Sequence, residues 1–349
     1  WRQLRQNFQF AGETKAQASL LAKLLNKAGL LPKGLDAQGS VQAELAMNAP
    51  GEGPVLGNLS VQSGDMIFLQ GNKKLNTGGK LQFKTSFASP SAQNEEASIS
   101  SCSLRTPLFR AEGSGKLQWT ESRPVLRLQG QCLPNYEILS ARLTASAKLP
   151  LTLAGTKAGP FQLTLPLGAA QETQGLRWTM TLPVESLRWK NVEVKGVELP
   201  LEYNKDTLHA KLAASFSGGK LALQPRWHFG ATNAGLVLPA NSQVLTAVAP
   251  SQTLTSEVLA YLHPLLGVLA TPAGVLDLQL KQVAFPAQAG NASSPVFTAV
   301  VELADPALQT KGILKELLEM SGLEGKSLRL QQRTLTCKGS DGRIACSGH

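Results

Sequence analysis

The sequence predicts a mainly β protein, a long curled antiparallel meander carrying about three amphipathic helices, and three observations predict it. Apolar and polar residues alternate with period two almost throughout the 349 residues, Gly- and Asp-rich turn signals punctuate that alternation, and only three stretches break it. Composition agrees. Apolar residues make up 42% and aromatics only 5%, so the core is built mainly from Leu, Val and Ala, and the chain carries too much aliphatic surface to stay solvated and unfolded.

Taken in order, residues 14–28 predict the first helix. Thr14 and Gln17 stand in capping-box positions, Leu20, Leu21, Leu24 and Leu25 form a stripe, and Gly29 is a stop signal. Residues 30–250 then form the meander. In it Leu81, Phe83 and Phe87 alternate with Lys80, Gln82 and Lys84, followed by Phe161, Leu163, Leu165 and Leu167, and then by Leu176, Trp178, Met180 and Leu182. A helix interrupted near Pro264 is expected over 252–272, and strands over 275–303 with Leu276, Leu278 and Leu280 on one face. Asp305 as N-cap and Pro306 at the first helical position predict a third helix over 305–320.

The last segment, 326–349, predicts a hairpin. If Asp341-Gly342 forms its two-residue turn, facing positions sum to 683, which pairs Ser340 with Arg343 and Cys337 with Cys346. Facing α-carbons at such a pair lie roughly 4.5–5.5 Å apart, within disulfide reach. A metal clip or two free thiols are the alternatives; His349 is the only candidate third ligand. A disulfide places the protein in an oxidising compartment. Cys102 and Cys132 are harder to join, because in a plain meander they stand about two strand spacings, or 9–10 Å, apart. Their bond is a possibility that needs a bulge or another strand order.

Size bears on function. Roughly eighteen to twenty strands at about 4.8 Å each give a sheet some 80–90 Å long, and three helices cover about a third of one face. The rest packs on itself as a sandwich or barrel, the usual solution, or lines a trough filled by acyl chains.

Catalytic signals are poor. Ser217-Gly218-Gly219-Lys220 has Ser-x-x-Lys spacing without its companion motifs and is better read as a Gly-Gly hairpin turn. "GSGK" at 113–116 lacks the remainder of a phosphate loop. His209, His228, His263 and His349 have no metal spacing. Asn58 and Asn291 head Asn-x-Ser sequons. No enzyme activity, cofactor or metal is expected. A net charge of +10 suits phosphate-rich partners, yet its Lys and Arg are dispersed without interleaved aromatics, which argues for membrane headgroups or plain solvation and against nucleic acid. No apolar run reaches the roughly 18 residues of a spanning helix. The chain opens at Trp1 without a Met, which points to a processed or trimmed piece of a longer protein with any anchor outside it.

The order of elements carries a resemblance. A Leu-rich helix leads into "GLDAQGSVQAELAM"; later come "LRWKNVEVKGVELPLEYNKDTLHAKLAASFSGGKLALQPRWHF", "SEVLAYLHPLLGVLATPAGVLDLQLKQVAFP", a Leu-rich helix and "CKGSDGRIACSGH". This resembles the C-terminal region of AsmA-like bacterial envelope proteins, in the group that includes the YdbH-like and TamB-like proteins, best from about residue 176 onward. The cysteines depart from the general pattern, and the chain stops where the family usually continues.

The resemblance implies a single elongated module over 1–349 whose sheet forms an open apolar groove, anchored in the inner membrane and crossing the periplasm. It implies non-enzymatic phospholipid transport toward the outer membrane, with bacterial membranes and inner- or outer-membrane proteins as partners. Scaffolding of outer-membrane protein assembly without lipid is the alternative. Groove-lining candidates, chosen by alternation, are Leu81, Phe83, Phe87, Leu163, Leu165, Leu167, Trp178, Met180, Leu276, Leu278 and Leu280.

Overall fold

Alternation predicts strands, and strands dominate. The computed structural model describes residues 8–19, 35–49, 54–64, 67–70, 73–75, 80–89, 96–119, 124–147, 151–166, 175–190, 192–204, 206–228, 235–251, 254, 270–286, 296–310, 313–322, 327–329, 334–340 and 343–348. The first part of the chain runs β1 (Phe8–Gln17), β2 (Leu35–Gln38), β3 (Ser40–Ala49), β4 (Val55–Ser63), β5 (Ile67–Gln70), β6 (Lys73–Leu75), β7 (Gln82–Ser89), β8 (Glu96–Arg105), β9 (Phe109–Trp119) and β10 (Pro124–Pro134). Helix α1 (Tyr136–Ala147) interrupts it, and β11 (Leu151–Ala154), β12 (Gly159–Pro166), β13 (Arg177–Trp189) and β14 (Val192–Asn204) follow. The remainder is β15 (Thr207–Ala210), β16 (Leu212–Phe216), β17 (Gly219–Leu223), β18 (Arg226–His228), β19 (Gly235–Leu238), β20 (Ser242–Val248), β21 (Ala270–Pro286), β22 (Val296–Thr310), α2 (Ile313–Met320), β23 (Ser327–Arg329), β24 (Thr334–Ser340) and β25 (Arg343–Gly348).

The result is one open antiparallel sheet of 22 strands, with β2, β5 and β6 forming a separate small sheet. The chain divides into two compact units. In the first, β1, β3, β4, β7, β8, β9, β10, β12 and the start of β13 pair in that order. One bulge interrupts this ladder. Ser100 is the extra residue, so Ile99 and Cys102 occupy the same face although three positions separate them, and the Ser100 hydroxyl donates to the Ser86 carbonyl at 3.2 Å.

In the second unit β16, β17, β20, β21, β22, β24 and β25 pair in order, and β15, β18 and β19 reach the far end of the 17-residue β21. Its core is closed. Val248, Leu276 and Ala299 are 0% exposed and Leu254 1%, with Val244, Leu245, Leu278 and Val301 packed among them. The two hydrogen-bonding neighbours of Ser217-Gly218, Phe216 and Gly219, face each other, and both central residues have positive φ. The turn is therefore Ser217-Gly218; Gly219 is a strand residue lying so close to β20 that a Cβ there would strike the Thr246 and Ala247 carbonyls.

Each predicted helix is corrected in extent. Of 14–28, residues 14–17 belong to β1, because a ten-residue register with β3 outweighs the helix propensity of Ala-rich sequence; Ala18 and Ser19 are helical and the rest lies outside the described residues. Of 252–272, Leu254 is helical, residues 255–269 lie outside the described residues, and 270–272 are strand. Over 305–320 the chain stays extended through Thr310, since 307–310 pair with 270–273, and helix begins only at Ile313. Asp305-Pro306 starts no helix. It sits in a bulge opposite Gly274, where the missing proline N–H leaves no ladder bond unmade.

Helix α1 was not anticipated by any apolar stripe. Its N-terminus is capped by Asn135, whose Oδ1 accepts the Ile138 N–H at 3.2 Å. Buried Ser140 holds β11 by accepting the Leu153 N–H at 2.7 Å and donating to the Leu153 carbonyl at 3.3 Å.

The terminal hairpin has the expected register. Ser340 faces Arg343, and Cys337 faces Cys346 in a disulfide with α-carbons 4.1 Å apart. Residues 341–342 lie outside the described residues. Cys102 and Cys132 are buried free thiols. Cys102 faces Gly113 and Cys132 faces Ala111, so a whole strand and a two-residue offset separate them.

An apolar face in the first unit as the candidate functional site

Directly opposed residues of an antiparallel ladder share a face, so the registers assign faces residue by residue. Across the nine strands of the first unit, one row reads Phe10, Met47, Gly57, Phe87, Ile99, Gly115, Leu128, Leu163, Trp178. The next reads Gly12, Leu45, Leu59, Thr85, Cys102, Gly113, Gly130, Phe161, Met180. A third reads Thr14, Ala43, Val61, Phe83, Leu104, Ala111, Cys132, Gly159. No position in the three rows carries a charge. The interleaved row on the other face reads Glu13, Glu44, Ser60, Lys84, Ser103, Glu112, Gln131.

Burial separates this face from the core of the second unit. Leu45, Leu59, Val61, Phe83, Phe87, Leu128, Leu163, Leu165, Trp178 and Met180 are only half-buried, and Phe10 is 46% exposed. Cys102 and Cys132, in the second and third rows, are buried at 7% and 1% exposure. Thr85 Oγ1, within the face, is buried without a hydrogen-bond partner among the described residues.

Two glycine positions shape this surface. The Phe87 ring lies over Gly57, its register partner, and a Cβ at Gly57 would overlap that ring; Phe10 covers Gly12 in the same way. The flattened rings fill the row where a side chain is missing. At the far end Trp178 stacks on Tyr203 with centroids 6.0 Å apart and planes 8° from parallel. Burial, helped by Asp206, whose Oδ1 accepts the Tyr203 hydroxyl at 3.1 Å, pushes the Tyr203 phenol up.

Sequence-selected lining residues divide between two environments. Phe83, Phe87, Leu163, Leu165, Trp178 and Met180 belong to the half-buried face of the first unit, and Leu81, also half-buried, directly precedes β7 with its N–H donating to Ser63 Oγ at 3.0 Å. Leu167 lies outside the described residues. Leu276, Leu278 and Leu280 belong to the closed core of the second unit, so they are structural. Residues that alternation did not single out, Leu45, Leu59, Val61, Leu126 and Leu128, join the face through the registers.

The hollow of the first unit opens on the opposite side. It measures about 990 Å³, and its side chains include Glu13, Glu44, Asn58, Lys84, Ser101 and Glu112. Lys84 and Glu112 alternate with residues of the apolar rows, and the lining also takes in Leu45, Leu59 and Cys102 of the second row, so this concavity is of mixed character. On the same face the Glu96 carboxyl is held below its ordinary value by the Gln118 amide and by Lys116, whose ammonium is 3.2 Å away.

The other motifs of the sequence take ordinary structural positions among the described residues. Residues 113–116 lie within β9, Ser217 sits in a turn, and the His228 ring meets Thr207 Oγ1 at 3.1 Å. His263 and His349 lie outside the described residues. Among the described residues no three His, Cys, Asp or Glu side chains converge as metal ligands, and no helix is long and apolar enough to cross a membrane. No family model, curated protein or solved structure matches the chain.

Proposed function

We propose that the apolar face of the first unit binds the acyl chains of membrane lipid and is the surface along which phospholipid passes between the inner and outer membranes of a bacterial envelope. The observation that carries this reading is the uncharged surface formed by three successive rows, two over nine strands and one over eight, in which the leucines and aromatics are half-buried. Eight inter-strand spacings make that surface about 38 Å wide. Methylenes withdrawn from water onto it stabilise the bound state by roughly 0.8 kcal/mol each. A chain arriving from a bilayer is already out of water, so its transfer is close to neutral and it slides instead of being trapped. The protein acts without a catalytic residue. The Cys337–Cys346 disulfide supports a periplasmic setting, and the family resemblance supports the inner-membrane association.

Lipid extraction from the purified chain followed by mass spectrometry tests this. Stoichiometric diacyl lipid is expected. A lipid-free chain that still associates with outer-membrane proteins would replace transport with scaffolding.

A further inference from the structure

We propose that β1 is a dimerisation edge, along which two copies of this chain pair antiparallel about a two-fold axis through Thr14 and join their sheets. The inference stands on β1 itself and not on the lipid-binding reading.

Strand β1 pairs with β3 over all ten residues from Phe8 to Gln17, and no other described strand pairs with it. Two hydrogen bonds show which of its backbone groups are left over. The Ala18 N–H donates to the Gly39 carbonyl at 2.8 Å, and 18 with 39 continues the β1–β3 register, so the even-numbered residues of β1 bond to β3. The Gly64 N–H donates to the Ser40 carbonyl at 3.0 Å, which turns the even-numbered residues of β3 toward β4 and gives the same parity. The N–H and C=O groups of Gln9, Ala11, Glu13, Lys15 and Gln17 therefore point outward, and among the described residues nothing takes them up. Natural sheet edges are blunted by proline, by a bulge or by isolated charge. β1 has no proline and no register shift, and its two charges, Glu13 and Lys15, lie 3.6 Å apart and offset each other. A regular ten-residue edge in that state is a template for another strand.

A second β1 fits this edge in one register. Antiparallel pairing through the outward groups sets odd residues opposite odd residues, so facing positions sum to an even number. A sum of 26 sets Glu13 against the partner's Glu13, and 30 sets Lys15 against the partner's Lys15. A sum of 28 sets Glu13 against the partner's Lys15, and Lys15 against the partner's Glu13, with Thr14 meeting the partner's Thr14 on the axis. No other even sum opposes unlike charges, and unlike charges directly opposed favour a strand pair while like charges disfavour it. Opposed residues share a face, so the charges meet on the polar face and the apolar rows of the two copies run into each other through Thr14. The contact is isologous and closes on itself, which stops the assembly at two copies.

The test is sedimentation equilibrium of the full chain and its variants, with circular dichroism as the check on folding. The wild-type chain should dimerise. Lys15→Glu makes both charge pairs repulsive and is expected to raise the dimer dissociation constant about five- to thirty-fold, as is Glu13→Lys. Glu13→Lys/Lys15→Glu exchanges the charges and should bring the constant back to within about three-fold of wild type. A merely structural role for these exposed side chains would not produce that rescue. Register is read separately by oxidation. Thr14→Cys is expected to give a covalent dimer, since the axis brings its two α-carbons to roughly 4.5–5.5 Å. Ala11→Cys is expected to give none, because its two copies lie about 20 Å apart. A wild-type chain that stays monomeric from micromolar to sub-millimolar concentration overturns the proposal. So does a dimer indifferent to Lys15→Glu, which would place the interface elsewhere.

Discussion

Leu165→Asp and Leu278→Asp place the same change on two strand faces that look alike in sequence, and their outcomes should diverge. Leu278 is 8% exposed and packed in the closed cluster with Leu245 and Val301. Removing its side chain costs about 2–5 kcal/mol in transfer and cavity terms. An aspartate in its place adds at least a few kcal/mol more, either as a desolvated charge or as a carboxyl forced to protonate. The sum, about 5 kcal/mol or more, matches the whole stability of a typical domain, so Leu278→Asp should abolish the folded second unit. Leu165 is half-buried and faces Leu126 on the open face. It forfeits roughly half a leucine transfer term, about 1 kcal/mol, and its carboxylate stays hydrated. Urea unfolding followed by circular dichroism gives both stabilities, and mass spectrometry of extracted lipid gives the occupancy. The expected result is a folded Leu165→Asp chain with reduced lipid and an unfolded or sharply destabilised Leu278→Asp chain. Equal destabilisation by the two would show that the first face is sealed, and would refute the distinction on which the lipid reading depends.

Gly57→Val should cost about 1–3 kcal/mol in urea unfolding, because the new side chain displaces the Phe87 ring; in Gly57→Val/Phe87→Ala the two changes should couple, the double variant losing less than the sum. Replacing Cys337 and Cys346 by Ala should lower stability by about 2–3 kcal/mol, the chain-entropy value for a loop of about ten residues, with the loss seen as faster amide exchange in β24 and β25. Burial pushes the Cys132 thiol up to about 11 and raises that of Cys102, so at pH 8 both should resist iodoacetamide until urea unfolds the chain. The folded pKa lies above the unfolded one, so this contribution to stability is complete below about pH 9 and disappears as pH rises through about 11, which a series of urea titrations over that range would record.

Much of this architecture was legible because its signals are local. An Asp-Gly turn fixes register by counting, and Cys337 finds Cys346 without any long-range information. Alternation likewise placed Phe83 with Phe87, and Leu163 with Leu165, on common faces. Failures arose where a distant partner decided the local state. Asp305-Pro306 carries the chemistry of a helix start, yet pairing of 307–310 with 270–273 keeps it extended. The bulge at Ser100 was invisible to period-two counting, since it changes the parity between Ile99 and Cys102. Helix α1 escaped because its main clue was Asn135 as N-cap, without a matching apolar stripe.

Strand alternation shows which side chains share a face; it does not show what covers that face. Both units make the point with the same device. Phe87 lies over Gly57 in the first, and Phe297 lies over its register partner Gly339 in the second. Each ring fills a gap left by glycine and levels the surface around it. In the second unit the levelled surface belongs to a core that includes Leu254, and the side chains at its centre are fully buried. In the first unit the leucines and aromatics of the rows are half-buried, while Cys102 and Cys132 among them are buried. A face without charge, smoothed by aromatic rings and only half-shielded by its own neighbours, is a poor match for a protein partner, which would require hydrogen-bonding groups around an apolar centre. Hydrocarbon requires none, and that asymmetry is the ground on which an acyl chain is the proposed occupant of these rows.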